Sequence, residues 1–136
     1  MSRFLNELVI RALSPATVRE RGSDRQLYQL ESPFSLELDW AGGVLMVPPG
    51  YVTDFASIPR GALWYIDDDD PAILGPSVVH DWIYSNRGVI GDGRIFSRQQ
   101  ADQVIRDGML LCGARRDQAA VVYAAVRTFG GSHWKA

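Results

Sequence analysis

The chain has little of several features that mark common classes of protein. It contains one cysteine, Cys112, in 136 residues, so no disulfide can form within it and the fold must depend on packing. It has no apolar run of about 18 residues, so no membrane-spanning helix is expected. Its formal net charge is −2. A slightly acidic balance does not favour nucleic-acid binding, which needs a basic surface, and no nucleic-acid partner is expected.

The chain does have enough apolar residues to form a core. Apolar residues make up 46% of the sequence and aromatic residues 10%, which excludes a disordered protein. The length fits a single domain, and we expect residues 1–136 to form one. The first residues contain no apolar segment that leads to a small-residue cleavage site, so no signal peptide is expected.

The N-terminal half has the pattern of β-strands. Between residues 34 and 40, apolar and polar residues alternate, which puts four apolar side chains on one buried face: Phe34, Leu36, Leu38 and Trp40. Gly42 and Gly43 then suit a tight turn, and residues 44–47 suit the returning strand. The sequence therefore predicts a β-hairpin or small antiparallel sheet with Trp40 in the core.

The C-terminal half has the pattern of helices. Pro76 suits the first turn of a helix, which we expect to begin near Gly75. Ser97 and Gln100 predict a capping box at a second helix. The apolar face of this second helix is expected to include Ala101, Val104, Ile105, Gly108, Met109 and Cys112, and Gly113 to end it.

A third helix is expected from Asp117 to about Phe129. Twelve residues that include three glycines separate Tyr84 from Ser97, so the first two helices are expected to pack antiparallel. The sequence thus predicts an α+β fold. A small antiparallel sheet or hairpin from the N-terminal half packs on an antiparallel helical hairpin plus a third, C-terminal helix.

His80 is the histidine that falls within an apolar helical segment. Tyr84 lies four residues later on the same face, and Asp81 lies about 100° around the helix. Buried polar side chains need partners, and we expect Asp102 on the second helix to lie beside His80. A carboxylate in that place can orient an imidazole and stabilise its charged form. Two interpretations stay open: a hydrolytic site, or a buried polar cluster that fixes helix packing.

These residues carry a resemblance. His80-Asp81-x-x-Tyr84, followed by Ala101-Asp102-x-x-Ile105, resembles the catalytic core of the phospholipase A2 superfamily in its small bacterial and parvoviral forms. The resemblance implies that His80 is the general base acting on water, Asp102 supports it, Tyr84 bonds Asp102, and Asp81 binds Ca²⁺. It also implies a calcium loop near residues 58–62, which would include Gly61.

A second resemblance covers nearly the whole chain. The block Val52-Thr53-Asp54-Phe55-Ala56-Ser57-Ile58-Pro59-Arg60, the block His80–Tyr84 and the Ala101-Asp102 helix are similar to the family catalogued as domain of unknown function 1353. That resemblance implies a phage or prophage protein, located in the virion or the host cytoplasm. Its expected partners are phospholipid or other virion proteins. The alternative to an enzyme is a structural or accessory module of the virion or tail.

Asp54 has two interpretations of its own. It is either a further metal ligand or orienter of His80, or a turn residue that accepts backbone N–H groups. A transition-metal site formed by Asp54, His80, Asp81 and Asp102 is a third alternative for the cluster as a whole.

Overall fold

The computed structural model describes residues 2–55, 71–90 and 93–134, and the architecture is α+β. Strands occupy the first described range: β1 (Arg3–Phe4), β2 (Ile10–Ala12), β3 (Tyr28–Leu30), β4 (Phe34–Leu38), β5 (Gly43–Val47) and β6 (Val52–Thr53), with a short helix α1 (Pro15–Glu20). The later ranges contain α2 (Pro71–Ser85), β7 (Val89–Ile90), β8 (Arg94–Ile95), α3 (Arg98–Leu111), α4 (Arg116–Phe129) and a 3₁₀ turn, Gly130–His133. Within these ranges no helix is both long and apolar enough to cross a bilayer.

The predicted hairpin is confirmed. β4 and β5 pair antiparallel with Leu36 opposite Leu45, and β1 adds to the other edge of β4. Gly42 and Gly43 form the turn with φ of 77° and 134°, a region that residues with a Cβ rarely enter. A second antiparallel sheet has the order β2-β3-β6 and ends at Thr53, close to α2.

The prediction for Trp40 is wrong. Phe34, Leu36 and Leu38 are buried as the alternation indicates, but the side chain of Trp40 is 43% exposed. The strand ends at Leu38 and the chain turns through a 3₁₀ segment, Asp39–Ala41, so the period of two no longer applies at residue 40. The indole of Trp40 instead donates a hydrogen bond of 2.8 Å to Asp107 on α3.

The first long helix begins earlier than predicted. α2 starts at Pro71, and Pro76 lies inside the helix rather than at its start. A proline there removes one helical hydrogen bond, but its ring packs against α3 at Gly108. A Cβ at Gly108 would stand 3.1 Å from the Cβ of Pro76, so the glycine is what lets the two helices approach so closely.

The two helices of the hairpin are antiparallel, as predicted. Pro76 lies against Gly108, His80 against Asp102 and Tyr84 against Arg98. Residue numbers therefore increase along α2 as those of the contacting residues decrease along α3. The predicted capping box at Ser97 is present. α4 begins at Arg116, one residue before the predicted start, and ends at Phe129. It packs on the other two long helices through a shared apolar cluster: Ile73, Ile105, Met109, Ala119, Val122 and Val126.

The prediction that Cys112 belongs to the apolar face of α3 is wrong. Five of the six residues on that face are buried, but Cys112 is exposed. α3 ends at Leu111, Cys112 is the C-cap, and Gly113 follows with φ of 92°. The helical spacing therefore no longer determines where the side chain at position 112 points.

Candidate functional site

His80 and Asp102 meet in the interface between α2 and α3. The Nε2 atom of His80 lies 2.7 Å from Oδ1 of Asp102, and both side chains are fully buried. The contact that the sequence predicts between these residues is therefore present. It joins the middle of α2 to the first turns of α3, two elements whose spacing is set by the close approach at Pro76 and Gly108.

Tyr84 binds the same carboxylate oxygen. Its hydroxyl donates to Oδ1 of Asp102 over 2.6 Å, and its ring lies against the imidazole with the two ring centroids 4.3 Å apart. Burial, followed by the bond to Asp102 and its negative charge, raises the pKa of the Tyr84 hydroxyl well above its usual value. Tyr84 therefore stays a hydrogen-bond donor at neutral pH.

Two arginines that the sequence reasoning missed contact the other carboxylate oxygen. Nη1 of Arg127, on α4, donates to Oδ2 of Asp102 over 2.9 Å. Nη1 of Arg98, one turn before Asp102 on α3, lies 3.7 Å from Oδ2. Arg98 could have been found from its i,i+4 spacing to Asp102, whereas no spacing rule connects position 127 to position 102.

Asp102 is held in its charged form. Burial alone would raise the pKa of this carboxyl group, but hydrogen bonds from His80, Tyr84 and Arg127 outweigh burial and lower it below the usual 3.8. Because the carboxylate can only accept, the imidazole nitrogen that faces it, Nε2, carries the proton. In the neutral imidazole Nδ1 is then the basic nitrogen.

Asp81 lies on the side of α2 that faces the second sheet. The hydroxyl groups of Thr53 and Tyr51 both donate to its Oδ2 atom, the latter over 2.9 Å. Burial and the charge of Asp81 raise the pKa of Tyr51, so this phenol also stays protonated. Ser85 adds a hydrogen bond of 2.9 Å to the backbone carbonyl of Asp81. None of Tyr51, Thr53 and Ser85 was singled out from the sequence as a partner of Asp81.

A cavity of about 470 Å³ lies beside Asp81. The described residues that line it have mixed charge and polarity: Arg25, Leu27, Val52, Thr53, Asp54, Asp81, Ser85 and His133. Two of the sequence-predicted metal ligands, Asp54 and Asp81, thus share one cavity, while the third, Gly61, lies outside the described residues. Within residues 2–55, 71–90 and 93–134, no group of three or more His, Cys, Asp or Glu side chains is arranged to hold a metal ion.

Comparison with known families finds one match. Residues 28–126 match the family described as a protein of unknown function, DUF1353. The matched segment runs from β3 into α4 and includes His80, Asp81, Tyr84 and Asp102; it ends one residue before Arg127. Neither the curated proteins nor the solved structures contain a match to this chain.

Proposed function

The chain belongs to the DUF1353 family, whose function is unknown, and we propose that it is a hydrolase in which His80 activates water for attack on a carboxylic ester. The observation that supports this most directly is the 2.7 Å contact between Nε2 of His80 and Oδ1 of Asp102, with Tyr84 on the same oxygen. A histidine whose far nitrogen is held by an ionised carboxylate has the arrangement used for general-base catalysis.

The proposed reaction assigns the proton transfers to His80 and supporting roles to Asp102 and Tyr84. Nδ1 of His80 takes a proton from water as the water oxygen adds to the ester carbonyl, and a tetrahedral intermediate forms. Asp102 stabilises the imidazolium that results, and Tyr84 keeps Oδ1 of Asp102 in place. The imidazolium then returns the proton to the leaving alkoxide as the carbon–oxygen bond breaks, which yields an acid and an alcohol.

Calcium is part of the proposal because the cavity beside Asp81, the residue that follows His80 in the chain, is lined by oxygen donors. Asp54 and Asp81 would hold the ion, since hard cations prefer carboxylate ligands. A bound calcium ion would supply positive charge for the oxyanion of the intermediate. Two carboxylates are fewer than the six to eight oxygen ligands typical of calcium, so the fit of the described residues is partial.

The experiment is an ester-hydrolysis assay on matched variants. His80→Ala and Asp102→Asn proteins are compared with wild type on 4-nitrophenyl butyrate and on phosphatidylglycerol vesicles, with calcium chloride or with a chelator. We expect each variant to lose about 10²–10⁴ in rate. Asp107→Asn is the control, because Asp107 is on the same helix but binds Trp40 and Arg106. Full hydrolysis by His80→Ala would refute the proposal.

A second candidate function is a non-catalytic module of a phage virion or tail. Complete burial of both His80 and Asp102 favours it, because buried polar networks can fix helix packing without doing chemistry. In this case His80→Ala lowers the melting temperature, and wild type hydrolyses neither ester at any calcium concentration.

The biological setting is proposed from the family resemblance. We propose that the gene belongs to a phage or prophage, that the protein acts in the virion or the host cytoplasm, and that phospholipid or other virion proteins are its partners. Sequencing the neighbouring genes tests the origin, and detection of the protein in purified particles tests the location.

A further inference from the structure

The two oxygens of the Asp102 carboxylate have separate sets of partners. Oδ1 accepts from His80 and Tyr84, and Oδ2 accepts from Arg127. The terminal torsion of an aspartate side chain is broad, so one set of bonds does not fix the plane of the carboxylate by itself. The bond from Arg127 to Oδ2 restrains that rotation and keeps Oδ1 directed at the imidazole.

Arg127 is itself held in place by a second arginine. Nη1 and Nη2 of Arg98 donate to the backbone carbonyls of Val126 and Arg127, each over 3.0 Å. Nη1 of Arg98 also donates to the hydroxyl of Tyr84 over 3.3 Å. Arg98 therefore joins the last turn of α4 to α3 and to the phenol of Tyr84. The backbone from which the side chain of Arg127 extends is thereby held in place.

We propose that Arg127 is a positioning residue of the hydrolytic site, which acts by holding Asp102 against His80. This inference rests on the proposed function for its catalytic consequence. It assigns a role in that site to α4, a helix in which the sequence analysis predicted no site residue. It also explains why a side chain 33% exposed reaches inward to a fully buried carboxylate.

The competing explanation is that Arg127 only neutralises a buried charge. In that case any effect of its removal appears in stability alone, because breaking a buried ion pair is strongly destabilising. A positioning role also changes the geometry of Asp102 and His80 within the folded protein. The two explanations therefore differ in the kinetics of folded variants and in the environment of the His80 ring.

The test compares Arg127→Met with Arg106→Met and Arg127→Lys. Arg106 is a close match, since it is 37% exposed, pairs with Asp107 over 3.1 Å and stacks on Tyr123 of α4. Among the described residues, its side chain makes neither a hydrogen bond nor an ion pair with the carboxylate of Asp102. On 4-nitrophenyl butyrate we expect Arg127→Met to lose about ten- to a hundredfold in kcat, as misplaced catalytic groups do, with KM within about twofold. Arg106→Met should keep wild-type kcat, and Arg127→Lys should recover most of the loss.

A nuclear magnetic resonance measurement makes the test independent of activity. The proton on Nε2 of His80, in a short bond to a carboxylate, should give a downfield signal that His80→Ala removes. We expect this signal to move or broaden in Arg127→Met and to stay in place in Arg106→Met. If Arg127→Met does not fold, Arg127→Gln replaces it, and kcat should then follow the order Arg, Lys, Gln.

The outcomes separate this inference from the proposed function. An unchanged His80 signal in Arg127→Met, or a kcat within about twofold of wild type while His80→Ala is inactive, overturns the role of Arg127. Wild-type protein with no His80-dependent hydrolysis overturns the proposed function instead. The signal then still decides whether Arg127 holds Asp102 against His80.

Discussion

His80 and Asp81 are consecutive residues whose side chains bind to different parts of the fold. His80 contacts Asp102 on α3, whereas Asp81 accepts hydrogen bonds from Thr53 in β6 and from Tyr51. Neighbouring residues on a helix point about 100° apart, so a single step moves from the helix–helix interface to the sheet. α2 thereby connects the buried imidazole with the cavity that Asp81 lines.

Asp102→Asn is expected to change how the free energy of unfolding depends on pH. The pKa of Asp102 is below 3.8 in the folded protein, so its ionised form favours folding. That contribution is present at pH values above the unfolded pKa and is lost as the pH falls through the folded pKa. Urea unfolding at pH 7 and pH 3 should show a smaller acid-induced loss in Asp102→Asn than in wild type. Asp107→Asn should behave as wild type, and equal losses in all three proteins would contradict the argument.

Tyr84→Phe is expected to destabilise the protein by about 1.5–3 kcal/mol at pH 7, because Asp102 loses a hydrogen bond to a charged group. The pKa of Tyr84 is raised above 10.0, so its contribution is complete below pH 10 and is lost as the pH rises through the folded pKa. The free-energy difference between variant and wild type should therefore shrink at high pH. Tyr28→Phe is the control, and a difference that stays constant with pH would contradict the assignment.

Gly88→Ala is expected to be much more destabilising than Gly93→Ala. Both glycines have positive φ, 81° and 89°, so both substitutions cost about 1 kcal/mol or more in backbone strain. An added Cβ at Gly88 would also collide with the backbone of Phe96, whereas Gly93 has open space. The collision should add about 1–3 kcal/mol in chemical denaturation. Equal effects at the two positions would refute the packing described for the connection after α2.

Calcium is expected to raise the melting temperature of wild type and to leave that of Asp81→Asn unchanged. A ligand that binds only the folded state stabilises it by about 2.7 kcal/mol at a hundred times its dissociation constant. The asparagine keeps the size of the side chain and can still accept from Thr53, so the comparison isolates the negative charge. Asp107→Asn should respond as wild type does. A calcium response that survives in Asp81→Asn would remove Asp81 from the metal site.

The contact between His80 and Asp102 could be predicted because helical periodicity decides it. Tyr84 lies four residues after His80, and one hairpin carries the chain back to Asp102, so the pattern alone places the three on one interface. The β4–β5 hairpin follows in the same way from a period of two and two glycines. The predicted burial of Trp40 and of Cys112 was wrong for a common reason. Each prediction extended a periodic pattern by one step beyond the last residue of its strand or helix.

The contacts of Asp102 with Arg127 and of Asp81 with Tyr51 could not be predicted. Arg127 is 25 residues from Asp102 and on another helix, and a basic residue in the last turn of a helix is already explained by the helix dipole. Tyr51 precedes a two-residue strand, and its phenol reaches α2 only because the second sheet ends there. Such contacts depend on how whole elements dock, which local spacing does not encode. The calcium-loop prediction at Gly61 lies outside the described residues.

The bond between Arg127 and Asp102 also bears on when the helical hairpin can close during synthesis. The chain leaves the ribosome N-terminal end first, so α2 and α3 emerge before the last turn of α4. Until that turn arrives, closing α2 on α3 would bury Asp102 without the arginine that it binds most closely, which is unfavourable. The nascent hairpin is therefore expected to close late. A translation product that stops before residue 127 should be degraded by proteases rather than accumulate.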